Sequence, residues 1–431
     1  MKSPRNVLVT GAVALCLVLL CAVALVAWLN VRGEAPQADG ATAAPLTPLT
    51  PVTPATIERG AYLARAGNCQ SCHTVPGGAA YAGGRRIDTP FGAIVSSNIT
   101  PDAQSGIGDW SAAEFWRAMH HGRAKDGRLL YPAFPYPSFT IVSREDSDAL
   151  YAFLRTVPPA RRANEAHALR FPYNTQAALA VWRALFFRAV AFEPDTKQSA
   201  AWNRGKYLVQ GLGHCAACHS GRNVLGGTSA SAEFGASLMP DGAWYAPSLA
   251  DPDEAGLQHA SRESVVRLLR DGVSGSASVT GPMADVVAGS TQHLAQVDLQ
   301  AMAQYLASQP VIKSPRAEAR SADVAVLARG RGLYAQHCAT CHGDRGEGIP
   351  GIYPALAGNR AVTLPVPNNL VQVIRQGGFA PSTSGNPEPF GMPPFKQVLS
   401  SEDIAAVATF IRQSWGNSAP PVWELDVMRM P

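Results

Sequence analysis

The sequence predicts a mainly α-helical chain in which three similar domains follow an N-terminal membrane-spanning helix and a Pro-rich linker. Three observations predict it. The pentapeptide Cys-x-x-Cys-His occurs at Cys69–His73, Cys215–His219 and Cys338–His342, and it uses every cysteine outside the first two dozen residues. Each copy follows an Arg-Gly-x-Tyr helix start, at Arg59-Gly60-Ala61-Tyr62, Arg204-Gly205-Lys206-Tyr207 and Arg331-Gly332-Leu333-Tyr334, which is the mark of an internal repeat. Finally, an almost unbroken apolar run occupies residues Val7 to Val31.

That run is long enough to cross a bilayer, which takes about 20 apolar residues. Lys2 and Arg5 precede it, while Arg32 and Glu34 follow and cancel. The positive-inside rule then holds the N-terminus in the cytoplasm and exports the rest. A cleaved signal peptide is the competing reading. The run is long for one, and the nearest A-x-A-like site, Ala41-Thr42-Ala43, lies well downstream. Cys16 and Cys21 each follow Leu and read as apolar thiols facing lipid.

Residues 1–32 are therefore expected to be the anchor and 33–56 the linker. In the linker Pro45, Pro48, Pro51 and Pro54 recur every third residue, the period of a polyproline II rod. Domains are expected at 57–157, 200–312 and 325–416. A connector at 158–199 holds a helix from Ala177 to Val190 that carries Trp182, Phe186 and Phe187. The tail, 417–431, reads as an extended arm. Each domain has a short helix ending at Gly122, Gly272 or Gly377, the first opened by the capping box Ser111-x-x-Glu114. Each closes on a helix with an aromatic residue, Phe153, Tyr305 or Phe410. Gly60, Gly205 and Gly332 are expected to let those aromatics approach where the first and last helices cross.

The pentapeptide is the attachment signature of c-type haem. Two thiols one helical turn apart can add to the two vinyl groups of a porphyrin, and the next residue sets an imidazole under the iron. A disulfide or zinc pair before a histidine is the bland alternative, which three copies in series disfavour. The expected cofactors are three haem c, held by Cys69 and Cys72, Cys215 and Cys218, and Cys338 and Cys341. His73, His219 and His342 are the expected iron ligands, and the domains are class I cytochrome c folds.

A fast carrier wants a sixth ligand, and Met thioethers are common there. Met283, in Gly281-Pro282-Met283, and Met392, in Gly391-Met392-Pro393, fit the second and third domains. The first domain breaks the pattern, because Tyr131-Pro132-Ala133-Phe134-Pro135-Tyr136 puts Phe134 where the sulfur belongs. The alternatives are Met119, at an apolar packing position, and His120 and His121, at expected surface positions. Otherwise the first iron is five-coordinate.

A formal charge of +4 without dense Lys/Arg blocks gives no sign of nucleic-acid binding. No G-x-G-x-x-G follows a strand pattern to hold a dinucleotide. No Ser-His-Asp or paired-carboxylate motif stands out.

Four longer motifs are more specific: Asn98-Ile99-Thr100-Pro101-Asp102 with Gly106-Ile107-Gly108-Asp109-Trp110; Leu130 to Tyr136; Trp202-Asn203-Arg204-Gly205 running into Gly211-Leu212-Gly213-His214-Cys215; and Ser290-Thr291-Gln292-His293-Leu294. From about residue 57 to 416 the chain resembles the tri-haem cytochrome c subunit of membrane-bound alcohol, aldehyde and gluconate dehydrogenases. The resemblance implies an electron-transfer subunit that is not an enzyme on its own. It implies a periplasmic location on the inner membrane of a bacterium. It also implies a catalytic partner using pyrroloquinoline quinone, flavin or a molybdenum cofactor, with electrons passed to ubiquinone or a terminal oxidase. Phe134 departs from the alcohol dehydrogenase pattern and is similar to cytochromes that accompany molybdenum hydroxylases. A haem enzyme or gas-binding sensor, acting at an open first haem, is the alternative function.

Overall fold

The computed structural model describes residues 4–34, 52–228, 233–275, 277–313 and 320–431. Pro45, Pro48 and Pro51, with Ala41-Thr42-Ala43, lie outside them. The N-terminal helix runs Pro4–Val31, and its apolar side chains from Leu8 onward are mostly exposed.

Three helical units follow, each built on an opening and a closing helix packed across each other. The pairs are Pro54–Ala66 with Arg144–Leu154, Ala200–Gln210 with Gln296–Ala307, and Val324–His337 with Ser401–Arg412. Every opening helix is fixed at its start by a side chain that accepts a backbone N–H: Thr53, Ser199 and Asp323. Such caps satisfy amides that the first helical turn leaves unpaired.

A glycine sits at each crossing, because a Cβ there would strike the partner helix. At Gly60 it would overlap the Ala149 carbonyl and Phe153 Cβ, and at Gly205 the Ala301 carbonyl and Tyr305 Cβ. In the third unit the residue is Gly330, against Ala406 and Phe410. Gly332, expected from the repeat, has nothing within 4 Å of its would-be Cβ. The repeat is shifted by two residues there, and its true form is Arg329-Gly330.

The arginine before each crossing glycine confirms the register. Arg59 binds Asp146, Arg204 binds Asp298, and Arg329 binds Asp403, each on its own unit's closing helix. The tyrosines do something different. Tyr62 of the first unit donates to Asp298 of the second (2.6 Å), and Tyr207 of the second donates to Asp146 of the first (2.7 Å). The first two units therefore clasp each other reciprocally, as the halves of an isologous dimer do. At the matching position the third unit has Gly332. Its Tyr334 instead donates to its own Gly343 carbonyl and packs on Phe410 and Trp415.

Packing follows that division. The first and second units share one apolar core, from Leu63, Phe115 and Leu150 to Leu208, Leu299 and Tyr305. The third has its own, around Val371, Ile404, Val407 and Ile411. It joins the second through Asn369 to Tyr245, Asn368 to Gly242 and Arg360 to Ala255.

Asp298 offers a test of the clasp. Burial pushes its carboxyl up, but bonds from Arg204 and Tyr62 outweigh that and hold it below its ordinary value. A depressed carboxylate stabilises the fold above its unfolded pKa of about 4 and loses that contribution as pH falls through the folded value. Asp298→Asn is expected to cost about 2 kcal/mol at neutral pH. Denaturant unfolding should show the difference from the parent narrowing below about pH 4.

Two other expectations change. The connector helix is Gln176–Phe186, not Ala177 to Val190; Phe187 turns extended and sets its ring edge-on to Tyr136. The tail is not an extended arm. Its short helix Glu424–Met428, with Val422, Val427 and Met430, packs back on the third core. These apolar residues gain burial there that an arm in water would forgo.

Candidate haem sites

Each pentapeptide forms one helical turn, Cys69–Cys72, Ala216–His219 and Ala339–His342. One turn brings the two cysteines of a pair to the same side of the chain. None of the six is joined in a disulfide. Burial pushes Cys69 and Cys215 up to about 12 and Cys338 to about 11. Burial of this kind disfavours the thiolate that a cysteine-ligated metal site needs. Among the described residues, no group of three or more His, Cys, Asp or Glu is placed to hold a metal ion.

The three histidines are oriented alike. His73 Nδ1 donates to the Ser97 carbonyl (2.7 Å), His219 Nδ1 to Pro247 (2.7 Å) and His342 Nδ1 to Pro354 (2.9 Å). Each bond fixes the tautomer and leaves Nε2 as the free lone pair, the usual outer-shell arrangement of a metal-binding imidazole. Burial lowers all three, favouring the neutral form that ligates. The residues therefore fit covalent haem at all three places.

The long sequence motifs hold these parts. Asn98 is buried; its Oδ1 accepts from Thr100, and its Nδ2 reaches Ser105 and the Ala160 carbonyl. This pins the segment that follows the strand Gly92–Val95 and carries Ser97, so the motif orients His73. Ser248 does the same for Pro247, its Oγ donating to the Phe234 carbonyl and its N–H to Glu254 Oε2. The motif at 290–294 docks the second unit on the first, through Ser290 Oγ to the Ala66 carbonyl and His293 to Arg65. The carbonyl partners Ser97, Pro247 and Pro354 carry no side-chain signal, so sequence reasoning missed them. For Ser97 the adjacent Asn98 motif was the available clue.

The candidate sixth ligands are placed unevenly. Met283 packs on the same core as Cys215, and Met392 on the same core as Cys338. Gly281, at φ 53°, lies under the Trp244 ring and starts the helix bearing Met283. Met392 pairs with Gly378 in a two-stranded ribbon. In the first unit Phe134 packs on the core that Cys69 also touches and meets Phe139 edge-on. Met119 is buried in that core, as expected. His120 and His121 are half-buried instead of surface-exposed. His120 stacks on Trp116 at 4.3 Å, and His121 sits edge-on to His120.

The first two motifs are neighbours. Burial pushes the Cys218 thiol up, Arg222 pulls it back, and Cys72 of the first motif adds a further upward push. Phe139 of the first unit meets His214, next to Cys215, at 5.6 Å between rings.

Two family descriptions match the chain: cytochrome c over residues 57–158, and cytochrome C oxidase, cbb3-type, subunit III, over residues 325–411. The alcohol dehydrogenase (quinone) cytochrome c subunit of Gluconacetobacter polyoxogenes is 38% identical over 87% of this chain and 84% of its own. The gluconate 2-dehydrogenase cytochrome c subunit of Pantoea cypripedii is 38% identical over 84% and 86%. A nicotinate dehydrogenase subunit of Pseudomonas putida is 40% identical over 85% of this chain but only 31% of its own length. With such identity to the first two along nearly the whole of both chains, the protein belongs to the family of dehydrogenase cytochrome c subunits, which carry electrons and leave substrate oxidation to another subunit.

Proposed function

We propose that this chain is a tri-haem electron relay between a dehydrogenase and the respiratory chain. The observation that carries the reading is the threefold histidine geometry, in which each Nδ1 is tied to a backbone carbonyl beside a pair of cysteines not joined in a disulfide. Three cytochrome c domains, at 57–157, 200–312 and 325–416, would each hold one haem c, with His73, His219 and His342 beneath the irons. Met283 and Met392 would supply the second protein ligand in the second and third units. In the first, Met119, His120 or His121 would do so, or the site would be left open. Bound haem supplies one-electron chemistry, and the chain supplies covalent attachment, ligand orientation and spacing.

The packing supports a direction of flow. The second unit stands between the other two, clasped to the first and bonded to the third. The membrane helix lies against the first unit and its connector, through Asn30 and Glu34. Electrons from the dehydrogenase would enter at the third unit and leave from the first, at the membrane, to ubiquinone or a terminal oxidase. The N-terminal helix would hold the units on the periplasmic face of the inner membrane. Relatives named for alcohol, gluconate and nicotinate dehydrogenases support a dehydrogenase partner. Phe134 favours one of the molybdenum-hydroxylase type.

Haem counting tests the reading. Pyridine haemochrome analysis is expected to give three c-type haems per chain, and Cys341→Ser to reduce the thioether pairs to two; one or two haems in the parent protein would sink it.

A further inference from the structure

The N-terminal helix does not merely trail from the first unit. Its last turn is built into a polar junction that buries two arginines. Arg183, on the connector helix, is 3% exposed. Its Nε donates to Asn30 Oδ1 (2.9 Å) and its Nη1 to the His121 carbonyl (2.7 Å). Asn30 Nδ2 returns a bond to the Ala180 carbonyl of the connector helix (2.9 Å). Arg123 donates to the Asn30 carbonyl and to the Glu34 carboxylate, both at 3.0 Å. Without this helix two largely buried guanidinium groups lose acceptors, a costly state for buried charge. The helix is thus a structural part of the first unit, and it fixes which face of that unit meets the membrane.

That face carries unexplained apolar side chains. On the connector helix Val181 and Leu185 lie one turn apart and are exposed, Leu185 at 62%. Trp182 Nε1 donates to the Leu225 carbonyl (2.9 Å), which fastens the turn that presents Val224, 92% exposed, and Leu225. The same turn is continuous with Phe91, close to Gly226, and with Tyr173, whose ring is tilted against Phe91 at 4.6 Å. Phe171, 81% exposed, stands two residues before Tyr173. Arg170 and Arg188 flank the patch and are exposed. An apolar face edged by aromatic and cationic side chains has the composition of a surface that settles at the headgroup boundary of anionic lipid.

We propose that Phe171, Val181, Leu185, Val224 and Leu225 form a lipid-contact surface, pressed against the bilayer that the N-terminal helix crosses. The inference rests on the reading of that helix as a retained anchor. Continuity with the helix through Asn30, Ala180 and Arg183 selects lipid over a protein as the occupant. The consequence is a first unit seated on the membrane, not swinging above it.

The test uses the full-length haem-loaded chain alone, in nanodiscs of phosphatidylcholine and phosphatidylglycerol. Intact mass comes first, and the N-terminal helix is expected to be present. A mass lacking it would overturn the anchor reading and this proposal together. Hydroxyl-radical footprinting follows, with the exposed Val324, Phe379 and Trp423 of the third unit as references and each rate scaled to its residue's exposure. After correction for intrinsic reactivity, Phe171, Leu185, Val224 and Leu225 are expected to be modified about fivefold more slowly than these, or slower still. With the helix present, equal rates would overturn the lipid-contact surface while leaving the anchor intact. Since no second protein is in the disc, protection cannot come from a dehydrogenase.

Discussion

Valine in place of Gly205 is expected to collapse the second unit, while alanine in place of Gly332 leaves the third intact and slightly more stable. The two glycines occupy the same place in the sequence repeat, yet only Gly205 lies at a crossing. There the opening helix meets the Ala301 carbonyl and the Tyr305 side chain, so any Cβ must push two helices apart. Overpacking at such a contact costs about 3 kcal/mol, and more where backbone must move. The second unit shares its core with the first, so both should lose stability. Gly332 faces open solvent within a helix, where alanine gains about 0.5–1 kcal/mol over glycine. Gly330→Val should repeat the Gly205 result in the third unit. Thermal unfolding and haem content of the four proteins decide it. A damaging Gly332→Ala with a silent Gly330→Val would show the register to be wrong.

That register marks where sequence reasoning worked and where it stopped. Helices, caps and pentapeptides were legible because their signals are local. Ser111-x-x-Glu114 formed its capping box, and Gly122 and Gly272 end their helices with positive φ. The aromatic partners Phe153, Tyr305 and Phe410 were also correct. The third glycine was misplaced because Arg329-Gly330-Arg331-Gly332 contains the Arg-Gly pair twice, and a nearby Tyr334 favoured the wrong copy. Only packing separates them.

What lay between units was less visible. Tyr62 and Tyr207 were read as helix-start residues, but their hydroxyls reach aspartates in the opposite unit, far away in sequence. Ser97, Pro247 and Pro354 act through backbone carbonyls, which any residue possesses. The tail looked extended because Pro420 and Pro421 mask the spacing of Val422, Val427 and Met430. The junction with the N-terminal helix was hidden for a similar reason, since the partner of Arg183 is Asn30, far away in sequence.

The sixth ligands proposed for the three units lead to the second large effect, on reduction potential. Met392→His is expected to lower the potential of the third haem by on the order of 0.2 V, a fraction of the roughly 0.8 V that axial ligands command. The far-red absorption of one Met–iron pair should disappear with it. Thioether sulfur favours reduced iron, and a second imidazole favours the oxidised state. Met392 is held in place by its ribbon with Gly378 and touches the core that Cys338 touches, so the backbone presenting the ligand should survive the change. Phe134→Met asks the converse question in the first unit. Phe134 is partly buried against Phe139, and methionine is flexible enough to fill most of that space. If the first iron is open or weakly ligated, the new sulfur should raise its potential, add one Met–iron band and remove carbon monoxide binding by the reduced protein. If His120, His121 or Met119 already holds that position, all three readouts stay unchanged. A redox titration of parent and variants resolves the haems separately, and a silent Met392→His would remove Met392 from the ligand set.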